Sequence, residues 1–386
     1  MTWGVIYFLL WVYRCIFSVL AELVIARLTS LGDSAQYADT LVERDVGDSL
    51  ANAFDSPRHA ATALTEGLGS LFANISGGIP FFTNICFQTI AFVGILAVLR
   101  ATPSRFRLLL LACVMLPSFS IWSSVASKEA LLVYAVGMLS ALAIRMYSGS
   151  YRLTIWHALS LIMVALAKEE YVPALAFLLA GTFVARHVRQ HTSLVLWAGL
   201  LSLVFLFLFA DRLTTMVMTI PLHFENLGNS RPSFWTEPND VFAKAPLGMF
   251  LAFFGPTFAE ATSAPLQMIT FVESSLLLAT LVIVLLTRLP RMPVYMTLMG
   301  GFTLFWIMFA AYPIGAMNAG SAIRYRTSYQ LLIFALIIVV MSRSRYKTWI
   351  ESRAEKHSGA RPQTIPRDEA SPPLASSHVH GGPSPS

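Results

Sequence analysis

Apolar runs of about 18–22 residues recur along this chain between short polar connections, and each is long enough to cross the hydrocarbon core of a bilayer as a helix. They predict about ten transmembrane helices, near 3–26, 80–99, 106–121, 128–146, 153–168, 171–186, 193–210, 266–287, 294–313 and 324–342. The expected fold class is an all-α polytopic membrane protein. The breaks in the pattern carry information too. Pro117 ends the third run, because proline cannot continue the hydrogen-bond ladder. Ser127 can then cap the next helix, with Glu129 in its positive first turn. Between them lies a serine-rich hairpin, expected at the membrane edge, with Trp122 as an interfacial residue. The run Leu247–Phe258 is too short to span and is broken at Gly255-Pro256, which suits a re-entrant or interfacial element. From about 351 the chain is rich in Pro, Ser, His and charge. This divides it into a transmembrane domain, 1–346, and an expected disordered tail, 347–386.

Composition agrees with that pattern. The chain is 56% hydrophobic and 12% charged, whereas a soluble protein carries about twice that charged fraction. A net charge of +6 in a soluble chain would suggest nucleic acid, but here its placement matters more. Arg100, Arg105 and Arg107, then Arg145 and Arg152, then Arg186 and Arg189, then Arg288 and Arg291 occupy alternate short connections. Arg343, Arg345, Lys347, Arg353 and Lys356 follow the last run. The positive-inside rule makes these connections, and with ten spans both termini, cytoplasmic. The partner implied is the lipid bilayer, with no nucleic acid. The first run lacks a basic leader and a small-residue cleavage site, so it is expected to be a retained helix. The other side receives two long external loops, about 27–79 and 211–265, expected to carry short interfacial helices. Cys15, Cys86 and Cys113 have no metal-ligand spacing and are expected to pack in the core.

The candidate chemistry gathers on the external side. Asp33 and Tyr37 stand at i, i+4 and share one face of a helix. A carboxylate there can deprotonate a sugar hydroxyl as a general base, or simply cap a surface helix. In the turn Lys168-Glu169-Glu170-Tyr171, Lys168 can contact phosphate and Glu169 or Glu170 can act as base, unless the turn is only solvated. Arg324 and Arg326 flank Tyr325, and arginine forks match phosphate oxygens. On a helix the two arginines are about 200° apart, so they do not serve one ligand without distortion. Arg14 and Glu22 share a face of the first helix, where a structural role is favoured. No P-loop, GxGxxG or zinc signature is present. No metal ligands and no cofactor are called for, although a divalent metal is left open. An external site without a nucleotide motif points to a lipid-carried donor.

Several landmarks give a resemblance. Gly32-Asp33-Ser34 with Tyr37, Pro117-Ser118 with Trp122-Ser123-Ser124 and Lys128-Glu129, Phe254-Gly255-Pro256 with Glu273, and Arg324-Tyr325-Arg326 resemble bacterial GT-C-like membrane glycosyltransferases. The pattern is most similar to Wzy-like polysaccharide repeat-unit polymerases. That resemblance implies polyprenyl-(di)phosphate-linked oligosaccharide substrates on the external face of the inner membrane. It implies Asp33 as base, with Glu129 and Glu169 as further carboxylates. Lys128, Lys168, Arg324 and Arg326 would meet phosphate, with Tyr37, Trp122 and Tyr325 around the substrate. The usual acidic pair is replaced by Asp33-Ser34. Other polysaccharide-assembly proteins are the partners implied. A transporter or flippase of lipid-linked glycans, and a non-catalytic component of an assembly machine, are the alternatives.

Overall fold

The computed structural model describes residues 2–26, 37, 57–187, 191–208, 210–220, 231, 235, 237, 240–262, 265–288 and 294–341. Asp33, most of the acidic first loop, Arg189, Arg291 and the expected tail lie outside the described residues. Among the described residues, six helices are long and apolar enough to cross a membrane: Trp3–Ile25, Pro80–Ala101, Lys128–Ser148, Pro265–Thr287, Val294–Met317 and Ala319–Met341. Among the described residues the chain is helical and without strands, the architecture of an all-α, multi-pass membrane protein.

Helix α1 (Trp3–Leu20) runs on through one wider π-type turn, Ala21–Ile25. Helix α2 (Pro57–Ile75) precedes α3 (Pro80–Ala101), which Pro80 opens at a position where its missing N–H costs nothing. The expected span 106–121 is two pieces, α4 (Ser104–Val114) and α5 (Pro117–Trp122), because Pro117 interrupts the ladder. Ser127 Oγ accepts the Ala130 N–H at 3.2 Å and starts α6 (Lys128–Ser148), which Gly149 ends in the left-handed region at φ 86°. Three other expected spans are shorter helices: α7 (Ile155–Ala167), α8 (Val172–His187) and α9 (His191–Leu208). At 1.5 Å per residue, the 13 residues of α7 reach only about 20 Å, short of the ~30 Å core. After α10 (Ala210–Met218) come α11 (Asp240–Ala243), α12 (Ala245–Phe254) and α13 (Phe258–Ala261). The long helices α14 (Pro265–Arg288), α15 (Val294–Met317) and α16 (Ala319–Met341) complete the order.

Helix α6 is the central post, buried along nearly its whole length, with α3, α7, α8 and α16 around it. Helices α3 and α6 run parallel, since Asn84 meets Ala126 just before α6 while Gly94 meets Tyr134 and Gly137 further along. A Cβ on Gly94 would lie 2.6 Å from the Tyr134 backbone, so glycine sets how closely these helices approach. Helix α7 returns antiparallel, and α16 runs parallel to α6, with Arg324 beside Glu129 at one end and Val339 near Tyr147 at the other. The starts of α6 and α16 therefore meet the end of α7 at one end of the bundle. The connections at the opposite end carry Arg100, Arg105, Arg107, Arg145 and Arg152.

Candidate functional site

The hairpin from Met115 to Ser127 lies at the bundle end where α6 starts and is buried between helices: Ser118, Ser120, Ser123, Ser124 and Ser127 are all inside the protein. Buried backbone outside a regular helix is tolerated where the surrounding protein satisfies it, and three helices, α1, α3 and α14, supply the bonds. The Ser118 N–H donates to Glu273 Oε1 of α14 at 3.1 Å, and its hydroxyl donates to the same carboxylate. Arg14 of α1 donates through Nη2 to Ser123 O at 3.2 Å and Ser123 Oγ at 2.6 Å, and lies over the Phe119 ring. The Ala126 N–H donates to Asn84 Oδ1 of α3 at 2.7 Å, and Asn84 Nδ2 donates to Glu22 at 3.4 Å. Arg14 and Glu22, two turns apart on α1, thus reach the same hairpin by separate routes. Trp122 is partly buried and packs beside Ala21, Ile25 and Val125.

The hairpin delivers Glu129 into a charged cluster. Glu129 is 2% exposed, and its Oε1 lies 2.9 Å from Arg324 Nε on α16. Its Oε2 has no hydrogen-bond partner among the described residues. Lys168, just past α7, places Nζ 3.3 Å from Glu170 Oε1 and 4.2 Å from the centre of the Tyr325 ring, and also feels the charge of Glu129. A short 3₁₀ turn, Glu169–Tyr171, holds Glu170, whose carbonyl accepts the Trp306 indole N–H at 2.9 Å. The turn is therefore tied into the bundle instead of being a plain solvated link. It brings Glu170 to Lys168 and leaves Glu169 exposed, away from the cluster.

The other expected site residues fall elsewhere. Lys128 Nζ donates to Thr62 Oγ1 of α2 at 2.5 Å. Tyr37 is buried at 2% exposure in the main apolar core. Arg326 is also 2% exposed and points away from Arg324, as their spacing on α16 requires. Its Nη1 donates to Phe253 O at 3.1 Å and Ser274 Oγ at 2.5 Å. It is close enough to Glu273 for the two charges to act on each other. The structure thus joins Glu129, Lys168, Arg324 and Tyr325 in one cluster, and Arg326 with Glu273 in another.

Sequence reasoning missed three participants. Glu273 entered only through a resemblance, although a lone carboxylate in an otherwise apolar run was itself a signal. Asn84 gave no local signal. Arg231 was also unremarkable, yet it pairs with Glu260 through Nε–Oε1 at 2.5 Å and Nη2–Oε2 at 2.8 Å. Its Nη1 also donates to Gly315 O at 2.9 Å, a carbonyl in the last turn of α15. Burial pushes the Glu260 carboxyl upward, but Arg231 and Thr257 outweigh it and hold the group below the usual glutamate value.

Chemically, the Glu129 cluster offers a buried carboxylate with one oxygen committed to Arg324 and one uncommitted, beside the ammonium of Lys168. Such a group can accept a proton or a hydroxyl hydrogen bond, while the cations stabilise negative charge developing nearby. Among the described residues, no three His, Cys, Asp or Glu side chains converge as a metal site. The fold and this cluster define a polytopic helical membrane protein with a built polar site at one bundle end. No protein-family model, no curated protein and no solved structure matches the chain.

Proposed function

We propose that this protein is a membrane glycosyltransferase that uses polyprenyl-(di)phosphate-linked sugars on the external face of the bacterial inner membrane. Its job in this reading is to polymerise repeat units of a surface polysaccharide. The observation that carries it is the Glu129–Arg324–Lys168 cluster, at the bundle end opposite the short arginine-rich connections. Under the positive-inside rule those connections, and with ten spans both termini, are cytoplasmic, so the cluster faces outward. Buried charges in a membrane protein are expensive and mark functional sites by default.

In this reading an acceptor sugar hydroxyl attacks the anomeric carbon of the lipid-linked sugar. The bond from that carbon to the phosphate oxygen breaks, and the phosphate leaves with the electron pair. Asp33 takes the hydroxyl proton, with Glu129 and Glu169 in reserve. Arg324 and Lys168 face the leaving phosphate and stabilise its charge. The test is complementation of a strain lacking the gene with Asp33→Asn and Arg324→Ala variants, membrane insertion being confirmed in parallel. Accumulated single repeat units and loss of long chains support the reading. Normal chain lengths with both variants overturn it and favour a non-catalytic assembly role.

A second reading, transport of a lipid-linked glycan, rests on one observation. Arg14, Glu273 and Arg326 are buried within long helices, and transporters place polar groups at such depths. Lipid-linked units accumulating on the cytoplasmic side of the deletion strain would select it.

A further inference from the structure

Helices α4, α14 and α16 enclose a cavity of about 140 Å³. Cys113 on α4, Leu116 just beyond it, Leu277 on α14, and Phe334 and Ile338 on α16 form its apolar wall. Glu273 is also in the lining, and its carboxylate is turned to Ser118 at the start of the buried hairpin. The volume is comparable with the ~150 Å³ apolar cavity known to admit benzene. The lining is not closed off from the bilayer, because Leu109 and Leu276, which also border the cavity, are 40% and 59% exposed.

We infer that this groove seats part of the isoprenoid chain of a polyprenyl phosphate, an assignment that rests on the proposed reading of the charged cluster. Depth selects the occupant. Glu273 lies eight residues into α14, about 12 Å from its start, and Ile338 lies nineteen residues into α16, about 28 Å from its start. Both helices start at the bundle end that holds Arg324 and Lys168. An acyl chain headed in that leaflet ends near the midplane, about 15 Å down, so ordinary lipid fills the whole groove only with one chain from each leaflet. A long isoprenoid headed at the same end reaches all of it. Polarity fixes the orientation: a phosphate beside the Glu273 carboxylate would be repelled, whereas Arg324 and Lys168 receive it at the bundle end.

The probe is a polyprenyl phosphate carrying a diazirine in its chain, photolysed with the full-length protein in lipid nanodiscs and mapped by mass spectrometry. Labelling of peptides containing Cys113, Leu277 or Phe334 is expected. Unlabelled polyprenyl phosphate at about ten times its half-saturating content should reduce it about tenfold by mass action, and phosphatidylglycerol at equal content should not. Leu277→Trp and, independently, Ile338→Trp fill the groove from different helices, and either folded variant should lose the label. Labelling spread evenly over lipid-facing helices, or displaced equally by phosphatidylglycerol, overturns the assignment. Binding is read here without catalysis, so the two proposals fail separately. A labelled groove with normal polymer in the Asp33→Asn and Arg324→Ala strains removes the transferase and keeps the groove. An unlabelled groove with polymer lost in those strains does the reverse.

Discussion

Arg324→Met tests whether the Glu129 cluster is held together by charge. The substitution keeps most of the side chain's length and removes its cation, leaving a carboxylate that is 2% exposed without its partner at 2.9 Å. Removing one member of a buried ion pair costs about 3–5 kcal/mol, because the remaining charge stays desolvated, whereas an exposed pair costs below about 1 kcal/mol. Arg324 itself is only 13% exposed, so the first figure applies. Lys168 is the nearby cation that can soften the loss, through its influence from Glu129, which favours the lower end of the range. Glu129→Gln alone removes the carboxylate beside the guanidinium instead. The double variant removes both charges, and replacing a whole buried pair is often close to neutral.

The assay is a double-mutant cycle on reversible unfolding in mixed micelles, with polymer length in the complemented strain read beside it. A coupling of about 2 kcal/mol or more between the two positions is expected, since contacting charged groups are non-additive. Coupling below about 0.5 kcal/mol, the scatter of independent sites, would refute the reasoning that the pair is buried and mutually dependent. The polymer readout then separates stability from chemistry. A double variant that is stable and inserted but makes no long chains shows that the charges serve the reaction. A stable double variant that restores long chains shows that they served only the fold.

Three further outcomes follow from the geometry. Gly94→Ala places a methyl 2.6 Å from the Tyr134 backbone, an overpacking that should cost about 1–3 kcal/mol; an unchanged melting temperature in detergent would contradict the close α3–α6 approach. Asn84→Ala removes the acceptor for the buried Ala126 N–H and should cost about 1–3 kcal/mol, as measured by the same unfolding curves. Glu260 is depressed below its ordinary value of 4.5 by Arg231 and Thr257 acting against burial. Its contribution is therefore fully present above about 4.5 and lost as pH falls through the lower folded-state value. Melting temperatures from pH 7 to pH 3 should show this loss in the parent protein and a flatter profile in Glu260→Gln; parallel profiles would count against the Arg231–Glu260 contact.

Much of the helical frame was legible because bilayer thickness sets a simple length rule, and the runs near 3–26, 80–99, 128–146, 266–287, 294–313 and 324–342 each correspond to a long apolar helix. Ser127 as a cap and Arg324 and Arg326 on opposite faces were legible for equally local reasons: one backbone hydrogen bond and 100° per residue. The break in the run near 106–121 was legible as well, because Pro117 cannot continue the ladder, although the span bounds ran past it to 121. Within the Lys168–Tyr171 turn, sequence could not choose between Glu169 and Glu170. That choice depends on Trp306, which is 136 residues away and holds the Glu170 carbonyl.

The burial of the hairpin was not legible for a more general reason. A serine-rich stretch between two apolar runs suits water or a protein interior equally well, because both can satisfy its polar groups. What distinguishes them is whether distant chain supplies partners, and here it does: Glu273 bonds Ser118 from 155 residues away, and Arg14 bonds Ser123 from 109. Helix α16 then connects the two ends of the hairpin electrostatically. Arg326 acts on Glu273 at the Ser118 end, and Arg324 pairs with Glu129 at the other. Because the two arginines sit on opposite sides of one rigid helix, they cannot both reach a single ligand. Glu129 keeps one uncommitted oxygen on the Arg324 side. On the other side Arg326 is bonded to Phe253 and Ser274.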